Sequence, residues 1–437
     1  MTTMTATTTA EIFSTLLDNL KVGPHHEEIR NRRDTIAKVL NKEFYEVEDS
    51  TVHQMMIGSY DRHTAINGVS DLDMVFILPP RIQEDYLDEQ GPKRILAKVK
   101  NALVTHYAQT DIRVDRCVVR VSFTDGSAFE VQPVFDCEDK TFSYPDTGYR
   151  RWWIVDPRSE IEAARECNEV THGKMRALAR MARAWKNTCG VPMGGLLVDT
   201  LVRGFFNTTS DFDNVGVGAY DSMVRDFFEF LAGQEDQEFY TALGSGQRVA
   251  VHGRFQPKAR TAYNRCVEAI EQEGRASANK TWRKVLGRRV PLAESADKEA
   301  VTNEEFIEDF FPVDIRNRLS IDCIIEQKGF RRQRLRETLS RKMLLPVRKS
   351  LDFVVEECDV PGEYDVWWKV LNRGAEAERR NMIRGQIIRS NMKQGGQDAR
   401  HETSDFGGIH LVECYVVKGG IVVARDSIAV PIESLPG

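Results

Sequence analysis

Two aspartates, Asp71 and Asp73, open an apolar run that reads DLDMVFIL. The run is typical of a buried strand, and residues two apart in a strand project from the same face. Two carboxylates held so closely repel one another unless a cation lies between them. Oxygen ligands suit Mg²⁺, which also keeps contacts to phosphate oxygens. We interpret the pair as a magnesium site for a phosphate-bearing substrate, although Asp-x-Asp alone is also typical of a solvated edge strand.

A third carboxylate, Glu130, lies in the β-like run 129–135, where an unpaired charge is costly. An Asp-Gly turn joins this run to a second one, residues 114–123, so we predict a hairpin that places Glu130 in the sheet. Three carboxylates on one sheet can hold two metal ions about 3.5–4 Å apart, the separation used for in-line displacement at phosphorus. The pattern therefore predicts a two-metal centre for phosphoryl or nucleotidyl transfer.

A Gly-Ser pair, Gly58-Ser59, ends a short apolar run that precedes these residues. A glycine turn between a strand and a helix offers backbone N–H groups to phosphates, and Ser59 can add a hydroxyl. No GxxxxGK[ST] motif is present, so this is not a Walker loop. A Gly-Ser pair alone usually marks only a turn. Its place ahead of the Asp-x-Asp pair favours a nucleotide site.

The elements that position these residues fall within residues 1–305. We predict a sheet-bearing catalytic lobe at about 45–158 and a helical lobe at 159–273, to which two N-terminal helices are added. Residues 274–305 are polar and charged, which indicates a connector.

The segment 306–437 carries short β-like runs separated by glycine-rich or polar turns. This alternation is typical of a β-sandwich, so we place a domain boundary near residue 305. The predicted fold class is α+β, with a mixed sheet and a helical lobe followed by a β-sandwich-like domain.

Composition narrows the class of protein. The 437 residues are 41% apolar and 29% charged, which excludes a disordered chain. The net charge of −6 excludes a protein that coats nucleic acid by bulk charge. The eight cysteines form no CxxC pair, and no apolar run approaches ~18 residues. We therefore expect reduced thiols, a cytoplasmic location and no membrane contact.

Residues 58–75 (GSYDRHTAINGVSDLDMV) resemble the signature of DNA-polymerase-β-like nucleotidyltransferases, and more narrowly of bacterial CD-NTases (the SMODS family). These enzymes are related to cyclic GMP-AMP synthase and oligoadenylate synthase and make cyclic oligonucleotides in anti-phage defence (CBASS). Residues 129–133 (FEVQP) resemble their third-carboxylate strand, with Glu130 where Asp is common.

The resemblance implies that Asp71, Asp73 and Glu130 are catalytic and hold two Mg²⁺ ions, for which Mn²⁺ can substitute. It also implies that Gly58 and Ser59 bind the β- and γ-phosphates of ATP or another NTP. The zinc-ribbon insertion of cyclic GMP-AMP synthase is absent from the sequence, so direct DNA sensing by that element is not expected.

Two helical segments resemble further parts of the nucleotide site. Residues 179–187 (ARMARAWKN) resemble the helix that sends basic side chains to the donor triphosphate, which makes Arg183 and Lys186 nucleotide-binding candidates. A solvated basic helix face is the alternative for either residue. Residues 194–200 (GGLLVDT) resemble the next helix start, where Gly195 replaces a serine of relatives and could contribute a backbone N–H.

Residues 305–437 resemble the AGS-C domain, a proposed nucleotide or ligand sensor. Within it, the basic segment 328–349 could bind RNA or another oligonucleotide, or form a solvated face. Some CBASS synthases are joined to a target through a C-terminal glycine by an E1/E2-like partner, and this chain ends in Gly437.

We therefore expect a monomeric, Mg²⁺-dependent nucleotidyltransferase that makes a cyclic di- or trinucleotide from ATP, with or without another NTP. A second hypothesis keeps the chemistry but changes the acceptor to a small molecule, a protein or an RNA end. A third is a nucleotide- or RNA-sensing binding module with an idle catalytic lobe. The complete carboxylate set argues against the third.

Overall fold

The computed structural model describes residues 8–23, 26–68, 71–293, 304–327, 329, 331–394 and 397–433. The chain divides into two compact units. The N-terminal unit comprises Met1–Trp185, Gly194–Val251 and Gln256–Pro291, and the C-terminal unit comprises Lys186–Met193, His252–Phe255 and Leu292–Gly437. The boundary that we predict near residue 305 adjoins residues 294–303, which lie outside the described residues.

The N-terminal unit combines a mixed sheet with a set of helices. Its helices and strands are α1 (Thr9–Leu20), α2 (His26–Tyr45), β1 (Gln54–Met56), α3 (Gly58–Asp61), β2 (Asp71–Ile77), α4 (Gly91–His106), β3 (Asp111–Asp115), β4 (Val118–Ser122), β5 (Ala128–Asp136), β6 (Phe142–Asp146), β7 (Arg151–Val155), α5 (Pro157–Val170), α6 (Lys174–Cys189), α7 (Gly195–Phe206), α8 (Tyr220–Ala232), β8 (Phe239–Thr241), β9 (Arg248–Ala250), α9 (Gln256–Glu271) and α10 (Ala276–Leu286).

The strand order β1-β2-β5-β4-β3 forms the body of the sheet, and β6 and β7 continue from β5. Strands β2 and β5 are parallel, whereas β4 is antiparallel to β5. The β-like run 114–123 is divided in the structure, because a turn at Arg116 (φ +48°) separates β3 from β4. The predicted hairpin through Asp125-Gly126 is present as β4 and β5.

Apolar and acidic side chains alternate along β2 and β5, so that one face of the sheet is apolar and the other is polar. One face buries apolar side chains against α2 and α4, where Ile36, Leu40, Ile95 and Leu96 pack on Leu72, Met74, Phe129 and Val131. Because side chains alternate between faces, Asp71, Asp73 and Glu130 project from the opposite face.

The predicted connector contains a helix. Helix α10 buries Trp282 and Val285, and the Trp282 ring meets Phe13 of α1 edge-on at 5.0 Å between centroids. The spacing of Ala278, Trp282 and Val285 gives one apolar stripe, which the surrounding charged residues obscure in the sequence.

The C-terminal unit holds two antiparallel sheets. Its elements are β10 (Leu319–Glu326), β11 (Gln333–Arg334), α11 (Leu335–Ser340), β12 (Ser350–Cys358), β13 (Asp365–Leu371), α12 (Ala375–Arg379), β14 (Arg384–Arg389), β15 (Met392–Gln394), β16 (Gln397–Thr403), β17 (Gly408–Lys418) and β18 (Ile421–Ile432).

The sheet orders are β11-β10-β12-β16-β15 and β14-β13-β17-β18. Apolar side chains of both sheets, including Ile321, Phe353, Trp368 and Val416, form one core. The predicted β-sandwich is therefore confirmed. In neither unit do the described residues include a helix that is long and apolar enough to cross a membrane.

Candidate active site

The three predicted catalytic carboxylates lie on neighbouring strands. Asp71 and Asp73 belong to β2, and Glu130 on β5 is the direct neighbour of Asp73 in the parallel register. Direct neighbours on adjacent strands share a face, so the structure brings all three carboxylates to one patch of the sheet. Asp71 is buried, while Asp73 and Glu130 are half-buried.

Gly58 fits tightly against this patch. A Cβ added at Gly58 would lie 2.0 Å from the Asp73 Oδ2 atom, and Gly58 has φ +69°. The backbone is also tied to β2, because the Ile57 N–H donates to the Asp73 carbonyl oxygen at 2.9 Å. A side chain is excluded here because the Asp73 carboxylate fills the space that it would need. Ser59 follows in α3, and its carbonyl oxygen accepts hydrogen bonds from the backbone of Thr64 and Ala65.

We expect Gly58→Ala to reduce nucleotide transfer about a hundred-fold, because a displacement of a reacting group by about 1 Å can cost that much. The matched control is Gly173→Ala. Gly173 also has a positive φ (+89°) but has nothing within 4 Å of an added Cβ, so this variant carries the backbone strain alone. Pyrophosphate release measures both, and equal rates for the two variants would contradict the prediction.

A guanidinium lies among the carboxylates. Arg120 on β4 is the antiparallel neighbour of Glu130. Its Nη1 atom lies 2.6 Å from Asp71 Oδ1 and 2.8 Å from Glu130 Oε1. No group of three His, Cys, Asp or Glu side chains in the described ranges converges as a metal-ligand set. The all-oxygen donor set still has the chemistry that Mg²⁺ prefers, and the guanidinium shows that Asp71 and Glu130 together bind a cation.

A buried ionic network supports the segment that follows Gly58-Ser59. The Asp199 carboxylate on α7 accepts hydrogen bonds from Arg62 Nε at 2.8 Å, from Thr64 Oγ1 at 3.0 Å and from both terminal nitrogens of Arg183. Burial by itself raises the pKa of Asp199, but the charges and hydrogen bonds of Arg183 and Arg62 outweigh it, so the pKa lies below its usual value. Glu160, 3.6 Å from Arg62, supplies a second negative charge.

Arg183 is thus engaged within the protein. Besides Asp199, its Nη2 atom donates to the Gly195 carbonyl oxygen at 2.9 Å. This contact brings together two of the predicted nucleotide-binding residues. Gly195 begins α7, and the first amides of a helix have no acceptor inside the helix. Triphosphate binding by Arg183 and Gly195 stays a prediction.

Lys186 has a different environment from Arg183, although the two residues are one turn apart on α6. Its buried ammonium pairs with Asp314 and donates to the Ile315 carbonyl oxygen at 2.9 Å, inside the C-terminal unit. Burial by itself raises the pKa of Asp314. The charges of Lys186 and Arg316 lower it by more than burial raises it, so the pKa lies below its usual value. The structure therefore gives Lys186 a structural ion pair, and its predicted role at the triphosphate is not one that these contacts favour.

The predicted oligonucleotide-binding segment, residues 328–349, contains β11 and α11, and residues 328 and 330 lie outside the described residues. Four of its arginines pair with acidic side chains: Arg332 with Glu326, Arg334 with Glu356, Arg336 with Asp426 and Arg341 with Glu337. These pairs offset part of the segment's positive charge. Gly437, the predicted conjugation site, also lies outside the described residues.

Comparison with known families decides the identity. Residues 7–168 match the model of the Second Messenger Oligonucleotide or Dinucleotide Synthetase (SMODS) domain. Residues 301–433 match the Adenylyl/Guanylyl and SMODS C-terminal sensor domain (AGS_C). The chain is a CD-NTase with a C-terminal AGS-C domain. This CD-NTase is accordingly a nucleotidyltransferase, as the sequence motifs predict.

Two relatives show how far the likeness extends. A probable cyclic nucleotide synthase of Bacillus cereus (strain VD146) is 22% identical over 277 residues, which are 54% of this chain and 82% of the relative. The structure of the CdnC:HORMA-deltaN complex from E. coli MS115-1 matches with a TM-score of 0.50 at 13% identity, over 67% of this chain and 100% of that chain. The second match supports the predicted nucleotidyltransferase fold of the CD-NTase.

Sequence reasoning missed Arg120, Asp199 and Thr64. Arg120 could have been found by counting back from Glu130 across the Asp-Gly turn, since the hairpin register pairs the two residues. Asp199 carried the weaker signal of a lone acid in an otherwise apolar helix, GLLVDTLV.

Proposed function

We propose that this CD-NTase makes a cyclic di- or trinucleotide from ATP, alone or with a second NTP, in a Mg²⁺-dependent reaction that serves CBASS defence. The observation that carries the proposal is the single patch formed by Asp71, Asp73 and Glu130, with Gly58 packed against Asp73. The SMODS match and the name of the Bacillus relative support cyclic nucleotide synthesis in particular.

The roles proposed for the residues are those that the family resemblance implies. Asp71, Asp73 and Glu130 would hold two Mg²⁺ ions, and such ions would acidify an acceptor hydroxyl and offset the charge of the leaving group. A 3′- or 2′-hydroxyl attacks the α-phosphorus, and a new P–O bond forms as the bond to pyrophosphate breaks. Glu130 helps to take the hydroxyl proton. Gly58 and Ser59 bind the β- and γ-phosphates, which holds the α-phosphorus in line with the attacking oxygen.

The test is incubation of the purified protein with each α-³²P-labelled NTP, alone and in mixtures, with Mg²⁺ or Mn²⁺. Phosphatase treatment and thin-layer chromatography follow. A phosphatase-resistant spot is expected, because a cyclic product has no terminal phosphate. A labelled protein or RNA would instead support nucleotidylation of another acceptor, and a linear product would contradict cyclisation.

The predicted partners are proposals as well. ATP and other NTPs are proposed as substrates of the carboxylate patch. An E1/E2-like enzyme acting at Gly437, and an oligonucleotide at residues 328–349, stay predictions that no contact in the described residues favours.

A further inference from the structure

Arg120 brings a positive charge into contact with two carboxylates of the patch. One atom, Nη1, bridges Asp71 Oδ1 and Glu130 Oε1 at 2.6 and 2.8 Å. The three side chains are largely shielded from solvent, with 16% of Arg120, 5% of Asp71 and 21% of Glu130 exposed. In such surroundings an ion pair is screened less than on the surface, and an uncompensated carboxylate is costly.

The position of Arg120 is fixed by the sheet. Strand β4 places it beside Glu130 in the antiparallel register, and β5 places Glu130 beside Asp73 in the parallel register. The guanidinium therefore approaches the patch along the same face from which the carboxylates project. Arg120 brings one positive charge to a patch of three carboxylates.

A divalent cation bound by Asp71 and Glu130 needs the oxygen lone pairs that Arg120 now occupies. Direct coordination competes for the same atoms with the guanidinium's hydrogen bond to Glu130 and its ion pair with Asp71. We propose that Arg120 is a positioning residue that holds Asp71 and Glu130 in place before metal binding and is displaced when the metal binds. The affinity of the site for divalent cations is then set partly by the cost of releasing this arginine.

The inference rests on the proposed function, because it assigns the metal to these carboxylates, but its test needs no nucleotide and no turnover. Mn²⁺ is titrated into the full-length protein, and free Mn²⁺ is followed by electron paramagnetic resonance. Arg120→Gln keeps hydrogen-bonding capacity but removes the charge, so it should lower the Kd for Mn²⁺ about tenfold. Arg120→Lys keeps the charge and should stay within about threefold of the wild type.

A second measurement separates competition from damage to the fold. Without metal, Arg120→Gln should melt at a lower temperature than the wild type, because Asp71 and Glu130 then lose the positive charge that lies between them. Mn²⁺ should raise its Tm by more than it raises the Tm of the wild type. An unchanged or higher Kd for Mn²⁺, or a Tm shift no larger than that of the wild type, would overturn the inference.

Asp73→Asn distinguishes failure of this inference from failure of the proposed function. If the wild type and Asp73→Asn take up Mn²⁺ equally, the carboxylates are not the metal site and the proposed function loses its metal centre. If Asp73→Asn loses Mn²⁺ binding while Arg120→Gln binds as the wild type does, the metal site stands and the role of Arg120 falls.

Discussion

Asp73→Asn should abolish nucleotide transfer while the protein remains folded. Asn has nearly the shape of Asp but no charge, so the patch would lose a proposed metal ligand and the carboxylate oxygen that lies against Gly58. Mutation of groups that only support metal ligands already costs about 10–100-fold, so loss of a ligand should cost at least about 100-fold. The measurement is pyrophosphate release from ATP and mixed NTPs, with Tm as the check on folding.

The matched control for Asp73→Asn is Asp136→Asn. Asp136 ends β5 on the same sheet, but its carboxylate is largely exposed and pairs with Arg158 at 2.8 Å. An exposed pair of this kind contributes about 1 kcal/mol or less, so the control should keep its activity and its Tm. An active Asp73→Asn protein would overturn the assignment of the catalytic site.

Asp199→Asn should destabilise the N-terminal unit by about 3–5 kcal/mol, the usual cost of breaking a buried charge pair from one side. In the variant, the buried guanidinium groups of Arg62 and Arg183 lose the negative charge of Asp199. Glu160, 3.6 Å from Arg62, still contributes a negative charge to the network. Activity should fall as well, because Arg62 and Thr64 lie just after the Gly58-Ser59 segment. Urea unfolding of the full-length chain, followed by tryptophan fluorescence, measures the loss.

The pH dependence of this effect has a defined sign. The folded-state pKa of Asp199 is lowered, so its ionised form contributes stability above the unfolded-state pKa of about 3.9. That contribution is lost as the pH falls through the folded-state value. The difference in the free energy of unfolding between the wild type and Asp199→Asn should therefore be largest at neutral pH and decrease below about pH 4.

Glu162→Gln is the control for Asp199→Asn, since Glu162 pairs with Arg165 on the exposed side of α5. About half of each of these side chains is exposed, so the loss should stay below about 1 kcal/mol. If Asp199→Asn lowers the free energy of unfolding by no more than Glu162→Gln does, the buried network does not stabilise the unit.

The sequence by itself predicted the carboxylate patch and the outline of both units. Alternation in DLDMVFIL places Asp71 and Asp73 on one face, and the Asp-Gly turn commits Glu130 to a hairpin. The β-like runs after residue 305 also predicted the sandwich, because each strand needs one apolar face to cover the other sheet. These patterns are local, with a period of two residues. Every sheet that buries one of its faces requires the same alternation of side chains along its strands.

Only the tertiary structure decided which charges meet. Lys186 and Arg183 lie one turn apart on one helix and look alike in the sequence, yet one pairs with Asp314 and the other with Asp199. Arg120 pairs not only with Glu130, its hairpin neighbour, but also with Asp71 on β2, two strands away. Local periodicity cannot reveal such partners, because an ion pair depends on distance in space. Burial then makes each unpaired charge costly enough that the fold must supply a partner.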